Sequence, residues 1–401
     1  MGYSWPMPWK ESCVMSERIG LIRDYLSGDF GISDLAQEYE VSRKTIYKWV
    51  ERFEREGWPG LEDASRAPRR HPNAVAERIE KAVLELKARK PLWGAPKLRA
   101  KLVEQIEKCP AESTLSEILR RHGLSHRAKR RRRATPSKAP LSECRQCNQV
   151  WSADFKGWFR TGDGRKCTPL TISDNYSRFL LCCQSVEQEV EELTVRPLFI
   201  KTFREYGMAE SLRTDNGTPF ASTGLGGLSA LSVWWVRLGI KLERIEPGCP
   251  EQNGRHERMH RTLKEAAAKP PKADLASQQR AFDRFRQEYN HERPHEALGQ
   301  RPPASLYRAS PRCYPERLPE PRGYPEDWQK RQVRKGGQIK WKGRDVSVGA
   351  ALWGQEIGLK PAGEGLWAVY FESLELGIFD ERTGRIERPV LQESRKMSFS
   401  L

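Results

Sequence analysis

The feature that most constrains this chain is a change in hydrophobic period near Val150. Before it, apolar residues recur at three- and four-residue steps, the spacing of amphipathic helices. After it, short apolar runs alternate with helical blocks. "QVWSADFKGWF" reads as a strand, and "CTPLTISDNYSRFLLCCQSV" as two strands around a turn at Asp174, Asn175 and Ser177. "EELTVRPLFIKTFREYG" is helical, "ESLRTDNG" is a strand ending in a turn, "LSALSVWWVRLG" is a helix and "IKLERIEP" a short strand. Helical spacing returns after Pro250 through Ala268, and again over about Leu275 to Asn290. Strands followed by helices predict a multidomain α/β protein whose core opens on an antiparallel meander.

The flanks follow other rules. In "GISDLAQEYEVSRKTIYKWVERFEREG" (31–57), Leu35 and Ala36 fit a short helix, Val41 a turn, and Ile46, Trp49, Val50 and Phe53 a second helix, with Ser33 and Ser42 placed as N-caps. That is a helix-turn-helix pattern. Its second helix leaves Arg43, Lys44, Tyr47 and Lys48 outward, able to reach phosphates and base edges in a major groove. In an ordinary helical hairpin the same residues would be a solvated face. "GWPGLEDASRAPRRHP" reads as a linker. The block from Asn73 to Gly123 predicts a second helix-turn-helix, with Leu115, Ile118 and Leu119 on one apolar face. Arg127 and Lys129 to Arg133 then form a basic run. It is either a tether against DNA phosphates, with Arg130, Arg131 and Arg132 as contacts, or a merely solvated stretch. Past a Pro-rich segment, "QIKWKGRDVSV", "QEIGLKP", "LWAVYF" and "ELGIFDE" predict a small β-barrel. The expected domains are therefore 11–60, a linker at 61–72, 73–126, a basic linker at 127–144, the core at 145–310, a Pro-rich linker at 311–327, and the barrel at 328–392.

Charge narrows the partners. The 70 Lys and Arg outnumber the 53 Asp and Glu, for a formal charge of +17, which suits a polyanion such as nucleic acid better than an acidic membrane. No run of about 18 apolar residues occurs, and "MGYSWPMPWK" lacks the basic start and apolar core of a signal peptide. A soluble, intracellular protein is expected. The nine cysteines are odd in number and scattered, and Cys144 and Cys147 form a CxxC without a second pair at zinc-ribbon spacing, so reduced structural thiols are expected.

Three carboxylates stand out. Asp154 lies within the strand "VWSADF" and Asp215 where "ESLRT" meets a turn, and strand ends of α/β sheets are where sites collect. Either alone reads most simply as a turn-holding residue. With Glu257 on a following helix they form a set of hard oxygen donors suited to Mg²⁺ or Mn²⁺. Glu257 also sits in His256-Glu257-Arg258-Met259-His260, a literal H-E-x-x-H, the zinc-peptidase pattern, and the pattern recurs at His291 to His295. No third zinc ligand stands downstream at a recognised spacing, and Pro294 works against a helix carrying both His291 and His295. His256 and His260 are expected to border the carboxylates or pack beneath them. His291 and His295 are expected to be structural, as is Asp174 in its turn.

"WSADFKG", "RTDNGTPF" and "PEQNGRHERMHRTLK", in that order, resemble the signature segments of bacterial insertion-sequence DDE transposases with an integrase-like, ribonuclease-H-like catalytic core. "YNHERPHEALGQRPPASLY" resembles the segment that follows the catalytic helix in that family. The resemblance implies helix-turn-helix modules before the core, a small C-terminal β domain, and a triad of Asp154, Asp215 and Glu257 holding two Mg²⁺ or Mn²⁺ ions per active site. It implies binding to the element's terminal inverted repeats, cleavage there, joining of the 3'-hydroxyl to target DNA, and at least a homodimer on double-stranded DNA in the bacterial cytoplasm at the nucleoid. Arg261 and Lys264, at i+4 and i+7 from Glu257, share its helix face and are assigned to DNA phosphates, or else are solvated charges. Between Asp215 and Glu257 lie 41 residues, more than in retroviral integrases, and the excess falls in the Gly-rich "ASTGLGGLSA". A catalytically inactive DNA-binding regulator and, more remotely, a zinc metallopeptidase are the competing readings.

Overall fold

The structure, a computed structural model, describes residues 13–65, 75–125, 141–187, 190–246 and 249–387. The chain divides into two compact units, Met1–Ala74 and Val75–Leu401. In the first, α1 (Val14–Ser27), α2 (Ile32–Glu38) and α3 (Arg43–Glu56) enclose Leu21, Ile22, Leu35, Ile46, Trp49, Val50 and Leu61. Ser42 caps α3 as expected, its hydroxyl accepting from the Thr45 amide at 3.2 Å. Ser33 is not a cap. It lies inside α2, whose N-cap is Gly31, and the Asp34 carboxylate at the third helical position reaches back to accept from the Gly31 amide at 2.9 Å. The Arg18 guanidinium lies 3.9 Å above the Trp49 ring centre and closes the apolar cluster from outside.

The second unit begins with α4 (Glu77–Arg89), α5 (Ala95–Leu102) and α6 (Glu112–Arg121). Leu115, Ile118 and Leu119 form the inward face as the spacing predicts, against Val83, Trp93, Leu98 and Leu102. This bundle is pinned to the following core by Lys90, whose Nζ lies 2.7 Å from Glu292 and 3.2 Å from Glu288. The Lys97 ammonium also donates to the Pro294 carbonyl.

The core sheet comprises β1 (Val150–Phe155), β2 (Phe159–Arg160), β3 (Lys166–Asp174), β4 (Leu180–Val186), β5 (Ser211–Thr214) and β6 (Lys241–Arg244). Its main order is β4-β3-β1-β5-β6, with the short β2 on the start of β3. β3 is antiparallel to β1 and β4, whereas β5 runs parallel to both β1 and β6, so the sheet is mixed. Helices cover both faces. Phe199 and Phe203 of α7 (Glu192–Tyr206) and Leu231, Trp234 and Trp235 of α8 (Ala230–Arg237) pack on one. Met259 and Leu263 of α9 (Gly254–Leu263) and Phe282 and Phe285 of α10 (Leu275–Gln287) pack on the other. This is the integrase-like, ribonuclease-H-like layering.

Residues 311–327 run along the core. Arg312 donates to the carbonyls of Ala209 (2.6 Å) and Leu238 (3.2 Å), and the Tyr324 hydroxyl donates to that of Glu356 at 3.1 Å. The C-terminal strands are β7 (Gln329–Gln332), β8 (Gln338–Trp341), β9 (Arg344–Ser347), β10 (Glu356–Gly363), β11 (Leu366–Phe371), β12 (Leu374–Asp380) and β13 (Arg385–Glu387). The expected barrel does not close. Five strands form an antiparallel sheet, β13-β12-β11-β10-β7, and β8 and β9 pair only with each other. Their apolar interior is completed by side chains instead: Ile339, Trp341 and Val346 of the hairpin, and Leu228 and Val233 of the core, meet Ile357, Leu359, Val369 and Phe379. Gly226, at φ +62°, belongs to the same contact, since a Cβ there would stand 2.8 Å from the Leu376 side chain. The Gly-rich segment that lengthens the spacing between Asp215 and Glu257 is thus where the core meets the C-terminal sheet. Among the described residues no helix is long and apolar enough to cross a membrane.

Candidate active site

Sheet register brings the first two carboxylates together. β1 and β5 are parallel with Ser152 opposite Arg213, so Asp154 and Asp215 sit at the carboxyl ends of neighbouring strands. Asp215 is exposed and accepts from the Gly217 amide at 3.1 Å. Arg244, at the end of β6, donates to the Thr214 hydroxyl at 3.0 Å and lies against Asp215, while burial lowers its guanidinium pKa to about 10. Glu257 is exposed one turn into α9, which crosses the face of β1 and β3. Burial, then the charge of Asp215, then more weakly that of Glu257, push the Asp154 carboxyl up to about 7, against a partial opposing effect from Lys156. Carboxylates from β1, from the end of β5 and from α9 therefore share one electrostatic site.

The buried face of α9 explains the histidines. In the antiparallel pair, Asp154 stands opposite Thr171 and Ser152 opposite Ser173, which puts both hydroxyls of β3 on the Asp154 face. His256 and His260, four residues apart, point down onto them. The Thr171 Oγ1 lies 2.7 Å from His256 Nε2 and 2.6 Å from His260 Nε2, and the Ser173 Oγ lies 2.9 Å from His256 Nδ1. Burial lowers the two imidazole pKa values to about 3 and about 2, so both are neutral. A third ligand, absent downstream, is present upstream: Asp154, His256 and His260 offer donor atoms within 4.8 Å of one another, the one such group of three among the described residues. The zinc-peptidase geometry is nonetheless not prepared. Both nitrogens of His256 already face hydroxyls, and both Nε2 atoms face Thr171 rather than each other's common ligand position.

Other expected residues separate clearly. Arg43, Lys44 and Lys48 are exposed on α3 and Tyr47 is 59% exposed, opposite the buried Ile46, Trp49 and Val50. Arg261 and Lys264 are exposed beyond Glu257. Arg130, Arg131 and Arg132 lie outside the described residues. Asp174 is buried and accepts from the Asn148 and Ser177 amides and the Ser177 hydroxyl, the structural turn expected of it. His295 packs edge-on against Tyr289, and Asn290 bonds both the amide and the carbonyl of Leu180. The Cys147 thiol faces the Leu306 carbonyl, and neither Cys144 nor Cys147 belongs to a three-donor group among the described residues.

Several site residues escaped the sequence reading. Asn253, valued only as a marker before Gly254, is buried with its amide 3.4 Å from Asp154 Oδ2. Thr171 and Ser173 carried a usable signal, as two polar residues at strand spacing in an otherwise apolar run. Arg244 and Lys156 carried none beyond their charge.

A mixed sheet with carboxylates at neighbouring strand ends, following N-terminal helical domains, is the arrangement of an integrase-like core. The family profiles that match agree: an integrase core domain over 238–303, a homeodomain-like domain over 45–119, a helix-turn-helix domain over 17–69, and the C-terminal domain of IS481 family transposases over 328–387. Among curated relatives, the insertion element IS407 uncharacterized 31.7 kDa protein of Burkholderia multivorans is 26% identical over 59% of this chain and 82% of its own length. The insertion element IS476 uncharacterized 39.2 kDa protein of Xanthomonas euvesicatoria is 28% identical over 40% of this chain and 44% of its own. These matches together support an insertion-sequence DDE transposase with an integrase-like core as what the chain is similar to. Partial likenesses among solved structures include the HTLV-2 integrase catalytic core domain in complex with magnesium (15% identity, 41% of this chain and 100% of that one, TM-score 0.33) and the simian T-cell lymphotropic virus intasome with a PP2A regulatory subunit (16%, 73% and 95%, TM-score 0.37).

Proposed function

We propose that the protein cleaves DNA at the ends of its mobile element and joins the freed 3'-hydroxyl to target DNA, with Asp154, Asp215 and Glu257 as the catalytic carboxylates. The observation that carries this reading is the Asp154 carboxyl, raised to about 7 by burial and by its two acidic neighbours. Three carboxylates that repel one another beside an open strand end suit divalent cations with oxygen preference, Mg²⁺ or Mn²⁺. Asp154, Asp215 and Glu257 would hold two such ions. When bound, these supply a polarised nucleophile and neutralise charge on the leaving oxygen of an in-line displacement.

The chain's own residues supply the rest. Asn253 holds the Asp154 carboxylate by its amide. The Thr171 hydroxyl donates to the Asp154 carbonyl at 3.1 Å and fixes the strand beneath it. Arg261 and Lys264 present positive charge to DNA phosphates on the face that also carries Glu257. In cleavage, water oxygen bonds to phosphorus as the P–O3' bond breaks, and the proton lost by water balances the one gained by the released 3'-hydroxyl. In joining, that hydroxyl oxygen attacks a target phosphodiester and displaces one target 3'-oxygen, so the number of P–O bonds is conserved. The α3 side chains Arg43, Lys44, Tyr47 and Lys48 are assigned to the terminal inverted repeats, Arg130, Arg131 and Arg132 to backbone phosphates. Two ends must be joined at once, so a homodimer or larger assembly acts on the DNA, in the bacterial cytoplasm at the nucleoid. The domain boundaries are proposed as 11–60, 73–126, 145–310 and 328–392.

The test is incubation of end-containing DNA with the protein and Mg²⁺, comparing the wild type with Asp154→Asn, Asp215→Asn and Glu257→Gln. Each variant is expected to bind the ends and to lose cleavage. Cleavage at the wild-type rate by all three would refute the triad.

A further inference from the structure

The hydrogen bookkeeping around Thr171 leaves one atom without a role. A threonine hydroxyl carries a single hydrogen and two lone pairs. With the Thr171 hydrogen assigned to the Asp154 carbonyl at 3.1 Å, the Nε2 atoms of His256 and His260, at 2.7 and 2.6 Å, both donate to Oγ1. In that assignment each neutral ring carries its hydrogen on Nε2, and Nδ1 is a bare acceptor. For His256 the acceptor is satisfied by the Ser173 hydroxyl at 2.9 Å. For His260 it is not. Its Nδ1 lies 3.8 Å from Asp154 Oδ2, on a side chain only 7% exposed, so once Asp154 is ionised two acceptors face each other. Their separation is too long for a hydrogen bond. It matches two donors on one ion, since atoms each about 2.1 Å from a shared cation can stand up to about 4.2 Å apart.

We infer that His260 Nδ1 is a ligand, together with the Asp154 carboxylate, of one of the two divalent ions, and that this nitrogen makes the site favour Mn²⁺ and other nitrogen-accepting transition ions over Mg²⁺. The inference rests on the reading of Asp154 as a metal-holding carboxylate and adds to it an imidazole ligand and a consequence for metal choice. Imidazole suits borderline transition ions, whereas Mg²⁺ prefers oxygen throughout. His256 cannot substitute, because both its nitrogens are committed to β3 hydroxyls. Thr171 becomes a positioning residue: by accepting from Nε2 it aims Nδ1 at the carboxylate, the usual outer partner of a metal-bound histidine. The H-E-x-x-H pattern thus supplies one ligand by way of His260, alongside the glutamate, rather than two histidines.

The test uses the full-length protein stripped of metal and titrated with MnCl₂, read by pulsed electron paramagnetic resonance for nitrogen coupling to the bound ion. Coupling is expected in the wild type, retained in His256→Gln and lost in His260→Gln. His260→Gln should also weaken Mn²⁺ about 10-fold or more in calorimetry, with a smaller loss for Mg²⁺. Bound Mn²⁺ without nitrogen coupling in the wild type overturns the inference, and this result needs no variant to fold. If Asp154→Asn then still abolishes Mn²⁺ binding, the carboxylate reading survives. If Asp154→Asn binds Mn²⁺ as the wild type does, both fall.

Discussion

Replacing Asp154 by Asn should make the metal-free protein more stable while abolishing its proposed activity. The carboxyl is raised from 3.8 to about 7 in the folded chain, by burial and by Asp215 before Glu257, and its side chain is only 20% exposed. An acid whose folded pKa is raised binds more protons folded than unfolded between those two values, so stability is complete below about pH 4 and falls as pH rises through 7. At about 1.4 kcal/mol for each pH unit, the loss above pH 7 is about 4 kcal/mol. Asparagine has the same shape and no charge, so it avoids that loss. In a cooperative unit of this size the difference is on the order of 5 °C in melting temperature. Thermal melts in chelator at pH 8 should therefore place Asp154→Asn above the wild type, and the gap should vanish by about pH 4. Saturating Mg²⁺ should raise the wild type and leave the variant where it is, closing the gap from the other side. Coincident melts at pH 8, or a variant that melts below the wild type, would refute the claim that these carboxylates crowd one another.

Arg213 and Glu243 form a buried pair on β5 and β6, 2.9 Å apart with side chains 7% and 12% exposed, so Arg213→Met should cost about 3–5 kcal/mol in denaturant unfolding, most of it recovered in the double variant with Glu243→Leu. Lys44→Ala should lower the slope of log affinity against log salt for end DNA by about 1 while leaving α3 folded by circular dichroism, since its side chain is exposed. Gly226→Val should destabilise the second unit in calorimetry, because φ is +62° and the new Cβ meets Leu376 at 2.8 Å, whereas Gly254→Ala, with open space at its Cβ, should fold normally.

The elements of the core were legible because apolar period and turn residues are local signals. The strands around Asp174, the helix through Ala268 and the cap at Ser42 all follow from neighbouring residues. What the sequence could not show was set by partners far along the chain. That Asp154 meets Asp215 depends on the parallel register of β1 and β5, which no local pattern encodes, and the resemblance alone suggested the convergence. Ser33 failed as a cap because α2 starts earlier, at Ile32, with Gly31 as its N-cap. The barrel failed because alternation within each strand says which face is buried but not what buries it. Here part of the cover is Leu228 and Val233, some hundred residues upstream. The histidines were legible as neighbours of the carboxylates, but their division into a committed ring and one with a free nitrogen depends on the hydroxyls of β3.

The docking of Leu228 beneath the C-terminal sheet ties two distant stretches of chain into one apolar cluster. The interval after Asp215 carries Gly226 and Leu228 to that sheet, where they complete part of its apolar side. Shortening that interval should strip the cover from Leu376 and leave an apolar patch on the C-terminal sheet that favours aggregation, even with all three carboxylates in place.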